Sequence, residues 1–300
     1  MSSEWRAKLE QRLVGAVNTA GAWGYTAGSV GAAEPTALAA LALSGRDAFA
    51  MPVARSLTWL AELRKADGPV PVTAAVPGPY WPTSLAILAW CAGDTALRTR
   101  FAGPVNAATR WLLDARGKAI PAQESSLEHD TTLIGWPWVA GSHSWLEPTA
   151  YAVLALRARG KGTHPRVREA VTLMLNRSLP DGGWNYGNRR VFGNALRAFP
   201  ATTGLALAAM AGEPRSAEVD AGIRFLVDVL PRISAPLSLA WGVIGLQAWD
   251  AIPDDAEMWL SRAARRLAAQ PVNPHYIATL LIAGAGGGLI VSKGKERADD

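Results

Sequence analysis

Two kinds of apolar segment alternate along the 300 residues. One kind is small and apolar nearly all round: Pro35-Thr-Ala-Leu-Ala-Ala-Leu-Ala-Leu-Ser-Gly45, Pro82-Thr-Ser-Leu-Ala-Ile-Leu-Ala-Trp-Cys-Ala-Gly93 and Pro148-Thr-Ala-Tyr-Ala-Val-Leu-Ala-Leu-Arg-Ala-Arg-Gly160. Degenerate copies run from Ala201 to Gly212, Leu237 to Trp249 and Pro274 to Gly284. Pro or a hydroxyl residue opens most of them and Gly closes most, which is the chemistry of helix starts and stops. The second kind is amphipathic and spans Glu4–Ala20, Pro52–Ala66, Pro104–Arg116, Pro165–Ser178, Ser216–Leu230 and Asp254–Ala269. In the last of these Trp259, Leu260, Ala263 and Leu267 share a face, and Arg262, Arg265 and Arg266 lie off it. That spacing has helical period with a solvated side.

A helix apolar on every side must be buried, whereas one with a polar face lies outside. Six segments of each kind therefore predict two concentric layers, with inner helices near 35–44, 82–93, 148–159, 201–212, 237–249 and 274–284 and almost no strand. An open stack of helix pairs needs polar capping repeats at its ends. The last inner segment, Tyr276-Ile-Ala-Thr-Leu-Leu-Ile-Ala-Gly, is as apolar as the middle ones, so closure into a ring is expected. The reading is an all-α domain over 1–284, followed by a Gly-rich, charged tail over 285–300.

Leu179-Pro-Asp-Gly-Gly-Trp-Asn-Tyr-Gly187 follows an amphipathic segment, and Arg55-Ser-Leu-Thr-Trp-Leu-Ala-Glu-Leu-Arg-Lys-Ala-Asp-Gly68 keeps a basic start, a Trp-Leu pair and a late Gly. Trp111-Leu112, Phe225-Leu226 and Trp259-Leu260 keep the aromatic–aliphatic pair, and Gly21-Ala-Trp-Gly-Tyr25 keeps the tail of the motif. In these features the chain resembles the prenyltransferase and squalene-oxidase repeat family, whose members include squalene cyclases, other terpenoid cyclases and protein prenyltransferases. The resemblance implies an (α/α)6 toroid and an isoprenoid or other apolar ligand in its central cavity. It departs from the family at the catalytic motifs. There is no Asp-x-Asp-Asp, and residue 89 is Ala where an Asp-x-Cys zinc pair ending at Cys91 would need Asp.

Composition narrows the rest. Apolar residues make up 49% of the chain and charged ones 18%, which supports a large core and excludes a disordered chain. The net charge is +5, but the basic residues are scattered, so nucleic acid is not expected as a partner. A single cysteine, Cys91, excludes an internal disulfide and a multi-cysteine metal site. No cofactor or metal is expected. No signal peptide is read at the start, so the cytoplasm is the expected compartment. Peripheral membrane contact through the tail stays open, and the oligomeric state is not readable.

Candidate chemistry gathers in the loops that lead into the inner helices, 21–34, 67–81, 117–147 and 179–200, because inner-helix N-termini carry unsatisfied N–H groups and a positive dipole end. Tyr80, Trp81, Trp136, Trp138 and Trp145 lie there outside the recognised motif copies, as does His143. They are candidates for ligand contact, since ring faces attract cations and stack on apolar chains or sugars; plugging the end of the ring is the other reading. Glu128, His129 and Asp130 form the densest titratable run, and a His–carboxylate pair can act as acid or base. Glu34 and Glu147 each precede a Pro-Thr pair in repeats one and three. Both are expected to reach toward the mouth, as catalytic groups or as partners of the helix dipole. A carbohydrate-active ring using paired carboxylates, or a non-catalytic repeat protein holding a peptide or partner, are the alternatives to an isoprenoid enzyme.

Overall fold

The computed structural model describes residues 2–76, 78–121, 128–288 and 290–291. Six inner helices form a closed circuit: α2 (Ala33–Leu43), α4 (Thr83–Ala92), α7 (Leu146–Ala158), α9 (Pro200–Ala209), α11 (Pro236–Ala248) and α13 (Pro274–Gly284). Each packs on the next, and α13 packs back on α2. Six outer helices surround them: α1 (Ser2–Gly15), α3 (Ala50–Leu63), α6 (Ala102–Asp114), α8 (Pro165–Asn176), α10 (Ala217–Val229) and α12 (Ala256–Ala268). The inner helices are buried along nearly their whole length, whereas α12 buries Trp259, Leu260, Ala263 and Leu267 and exposes Arg265 and Arg266.

Small residues set how closely the inner helices approach. A Cβ placed on Gly204 of α9 would sit 2.0 Å from the Trp241 carbonyl oxygen of α11, and one on Gly245 would sit 2.6 Å from the Gly204 Cα. These two helices therefore meet backbone to backbone. The ring is locked where the first outer helix meets the last. Trp5 Nε1 and Arg6 Nη2 donate to the two carboxylate oxygens of Glu257 at 2.8 and 2.6 Å, and Arg12 Nη2 donates to the Gln270 carbonyl at 2.7 Å.

Three features depart from the two-layer pattern read in the sequence. The connection expected as a short loop over Gly93–Gly103 carries a further helix, α5 (Thr95–Arg100), whose N-cap Asp94 accepts from the Leu97 amide at 2.8 Å. The 179–200 loop carries an antiparallel hairpin, β1 (Arg190–Val191) with β2 (Asn194–Ala195). The start of the expected tail is packed, since Ile290 and Val291 are buried; the rest of it, residues 292–300, lies outside the described residues, as do residues 122–127 of the 117–147 loop. Among the described residues no helix is long and apolar enough to cross a membrane.

Candidate functional site at the ring mouth

A repeated hydrogen-bond unit places the N-termini of the inner helices. Trp23, Trp136 and Trp184 each donate their backbone N–H, at 2.9 Å, to the hydroxyl of a threonine early in the next inner helix: Thr36, Thr149 and Thr203. Each indole Nε1 donates to a carbonyl near the end of the preceding outer helix: Leu13 at 2.7 Å, Leu112 at 2.8 Å and Met174 at 2.7 Å. Each threonine hydroxyl in turn donates to the carbonyl of its own tryptophan. Buried polar groups are thus satisfied within the unit, as burial requires. Repeat two keeps half of it, with the Val70 N–H on Thr83 Oγ1 at 2.9 Å.

Residues just ahead of two of those threonines, Glu34 and Glu147, sit in the first turns of their inner helices with titratable and aromatic neighbours. Glu34, in the first turn of α2, is buried and its Oε2 accepts from Tyr25 Oη at 2.6 Å. His275, in the first turn of α13, puts Nε2 3.6 Å from Glu34 Oε1. The Tyr25 ring meets His275 edge-on with centroids 6.0 Å apart. Across the mouth Glu147, in the first turn of α7, accepts from Thr202 Oγ1 of α9 at 3.1 Å. Tyr151, one turn deeper in α7, stacks on Trp81 at 6.1 Å and meets Trp241 of α11 edge-on at 5.7 Å. Trp81 in turn meets Trp138 edge-on at 4.9 Å.

Burial pushes the Glu147 carboxyl up to about 7; the Thr202 hydroxyl opposes this and the negative charge of Glu34 adds to it. Burial likewise raises the Tyr25 and Tyr151 phenols, and Glu34 raises both further. The phenols are therefore hydrogen-bond donors at any ordinary pH. Glu147 is half protonated near neutrality, the condition suited to a general acid working at that pH.

Two cavities flank this cluster. One, of about 280 Å³, is lined mainly by Tyr80, Trp81, Trp111, Trp136 and Trp138, with Pro148, the residue after Glu147, on its wall. Its volume lies just below the roughly 300–1,000 Å³ common for small-molecule sites, and its aromatic lining is typical of them. The other, of about 130 Å³, is lined by Lys118, His129, His143, Trp145, Arg177 and Asn188, among others. The segment from Gly135 to Trp145 contributes to both, held together by the Trp145 N–H on the Trp136 carbonyl at 3.0 Å and the Gly135 N–H on Ser144 Oγ at 2.8 Å.

No protein-family model matches the chain, and no curated protein matches it. Solved structures do. The type II terpene cyclase MstE from Scytonema superposes with a TM-score of 0.62 at 13% identity, over 97% of this chain and 98% of that one. An α-1,6-mannanase of Salegentibacter, GH76A, gives 0.65 at 10% identity, over 96% of this chain and 100% of that one. A protein from Actinoplanes gives 0.64 at 14% identity, over 96% and 100%. The chain is an (α/α)6 toroid. At these identities the likeness is one of fold, and the toroid's chemistry rests on its own residues.

The structure separates the sequence candidates into groups. Glu34 and Glu147 both lie in first turns of inner helices, close enough for the charge of Glu34 to act on Glu147. Trp81 and Trp138 join its aromatic wall, and with Tyr80 they line the larger cavity. Trp136 also lines that cavity, but it takes the seam position of Trp23 and Trp184, which corrects its reading as an aromatic outside the motif: its indole bonds Leu112, and the Arg166 guanidinium lies 4.1 Å over its ring. His129, His143 and Trp145 belong to the second cavity. The Asp130 carboxylate is exposed and accepts from the Thr132 N–H and hydroxyl, and Glu128 is exposed against Arg190 at 3.1 Å. The smaller cavity is lined by His129 but not by Glu147, contrary to the expectation that the 117–147 loop would bring His129, Asp130 and Glu147 together. Sequence reasoning missed Tyr25, Tyr151, Thr202, Trp241 and His275. A signal for two of these was available, since Thr202 and His275 occupy the first turns of inner helices, as Glu34 and Glu147 do.

Proposed function

We propose that the toroid mouth is an acid–base site acting on an apolar, isoprenoid-type ligand. The observation that carries this reading is the pairing of Glu147, held protonated up to neutrality, with Glu34 against a wall of aromatic rings. Glu147 delivers its proton to a carbon–carbon double bond of the ligand. The cation that results faces the rings of Trp81, Tyr151 and Trp241, whose faces attract positive charge, and the carboxylates add a favourable field in a site shielded from water. Ring closure within the ligand forms a carbon–carbon bond, and loss of a proton to Glu34 restores a double bond. One proton enters and one leaves, so the net reaction is an isomerisation and needs no oxidant or co-reactant. His275 and Tyr25 position Glu34. The cavity lined by Trp81 and Trp138 holds part of the ligand chain.

The terpene cyclase MstE, whose structure was determined with geranylgeranyl dihydroxybenzoate, lends the reading support at the level of fold. Glu147 here stands in for the absent Asp-x-Asp-Asp. The test is incubation with geranylgeraniol and analysis of the extract by gas chromatography and mass spectrometry. The parent is expected to yield an isomer of unchanged mass, and Glu147→Gln none. Equal yields from the two, or no conversion and no binding by the parent, would overturn the proposal. A second reading, glycoside hydrolysis, is favoured by the facing carboxylates and by the mannanase neighbour. Release of mannose from α-1,6-mannotriose, lost in Glu147→Gln, would select it instead.

A further inference from the structure

The smaller cavity, on the far side of the Gly135–Trp145 segment, is built unlike the mouth. Arg177 is buried at 4% exposure, and its Nη1 donates to the Ser144 carbonyl at 2.6 Å. Its Nε has no partner and it pairs with no carboxylate among the described residues. A guanidinium withdrawn from water with no carboxylate in contact is costly to hold. His129 is buried too, His143 stands near it, and Lys118 reaches the cavity from the exposed side. Of the nearby carboxylates among the described residues, Asp130 is hydrogen-bonded to Thr132 and Glu128 pairs with Arg190.

We propose that this cavity is an oxyanion site that takes a phosphate group, with Arg177, Lys118, His129, His143 and Asn188 as its donors. Arg177 offers a fork of N–H groups matched to two phosphate oxygens. Two neutral imidazoles offer one N–H each, and a second when protonated. Phosphate fits better than carboxylate because it is dianionic and tetrahedral, and the donors converge from several elements rather than from one plane. A volume of about 130 Å³ accommodates the group.

The electrostatics agree with this geometry. Burial first, and then the charges of Arg177, His143 and Arg189, bring His129 down to about 4; of the groups acting on it only Asp130 opposes. His143 is lowered by burial and then by Arg177. Burial also brings Arg177 down to about 10, again with Asp130 opposing. The surroundings are thus positive, and a bound phosphate anion places a negative charge beside both imidazoles and raises them.

The experiment is an NMR titration of 15N-histidine-labelled full-length protein, in sodium chloride and in sodium phosphate at equal ionic strength, with calorimetric binding of inorganic phosphate and of phenyl phosphate. Phosphate is expected to raise the His129 midpoint by at least one pH unit, a tenfold change in its proton affinity. Lys118→Ala and His143→Ala are each expected to weaken phosphate binding tenfold or more, with the helical circular dichroism unchanged. Lys118 is exposed, so its truncation leaves the fold intact. Tighter binding of phenyl phosphate than of inorganic phosphate supports the site with an ester as its natural source; the reverse order supports it with the free ion. An unmoved His129 midpoint, or two variants that bind phosphate as well as the parent, would overturn the proposal.

Discussion

Trp184 is fully buried, and its indole both fills the seam and satisfies the Met174 carbonyl. Trp184→Ala is expected to cost about 3–5 kcal/mol, through the cavity and the orphaned carbonyl, read as a fall in the urea midpoint. Glu147 makes a prediction of opposite sign. Its carboxyl is raised to about 7 in the folded protein, against an ordinary value of 4.5 when unfolded. The folded state therefore binds the proton more tightly. The stability this contributes is fully present below pH 4.5 and is lost as the pH rises through 7. Glu147→Gln removes the buried charge, so it is expected to stabilise the protein at pH 8, by up to about 3 kcal/mol, and to change little at pH 4.5. Thermal melts at the two pH values check this; equal effects at both would contradict it. Legibility at this scale followed the local chemistry. Asp181-Gly-Gly-Trp184 announced its own turn close behind α8, whereas Trp136 is separated from α6 by a long insertion that hid the same role. Tyr151 and Trp241 looked like core residues because they are buried in apolar helices; only the placing of α7, α11 and the turn ahead of α4 shows that the Tyr151 ring meets both Trp81 and Trp241.

At the scale of the elements, the helices themselves were legible because the two periodicities differ so plainly. The inner helices begin and end within a few residues of the expected bounds. The outer helices were read too long at their C-terminal ends: α1 stops at Gly15, α3 at Leu63 and α6 at Asp114. After α3 and α6 the next residue, Arg64 or Ala115, is extended rather than helical, because the chain must leave the helix to reach the seam. Helix propensity carries no information about that demand. The α9–α11 contact was equally hidden, since Gly204 and Gly245 read as ordinary small residues. Gly204→Ala is expected to destabilise the protein by about 1–3 kcal/mol through overpacking. Gly103→Ala, in the first turn of α6 with nothing within 4 Å of the added Cβ, is expected to be neutral or to stabilise by about 0.4–1 kcal/mol. Melting temperatures of the two variants separate close packing from a general intolerance of alanine.

For the whole molecule, closure was legible in one fact, the uncapped apolar face of the last inner segment, and the packing of α13 on α2 fulfils it. Closure also makes the mouth, because Glu34 and His275 come from opposite ends of the chain and meet only in a ring. Deleting residues 1–15 removes α1 from its place against α12 and α13 and breaks the lock at Glu257. The truncated chain is expected to lose its single cooperative thermal transition, whereas an open solenoid would merely shed one unit. A proton held on Glu147 by burial and by the charge of Glu34 is visible to NMR. Protein carrying 13C at the glutamate side-chain carboxyl positions is titrated by NMR beside the Glu147→Gln variant. One carboxyl resonance, absent in the variant, is expected to titrate with a midpoint near 7. A midpoint for that resonance in the ordinary glutamate range, near 4.5, would mean that Glu147 is ionised at neutral pH and holds no proton to give.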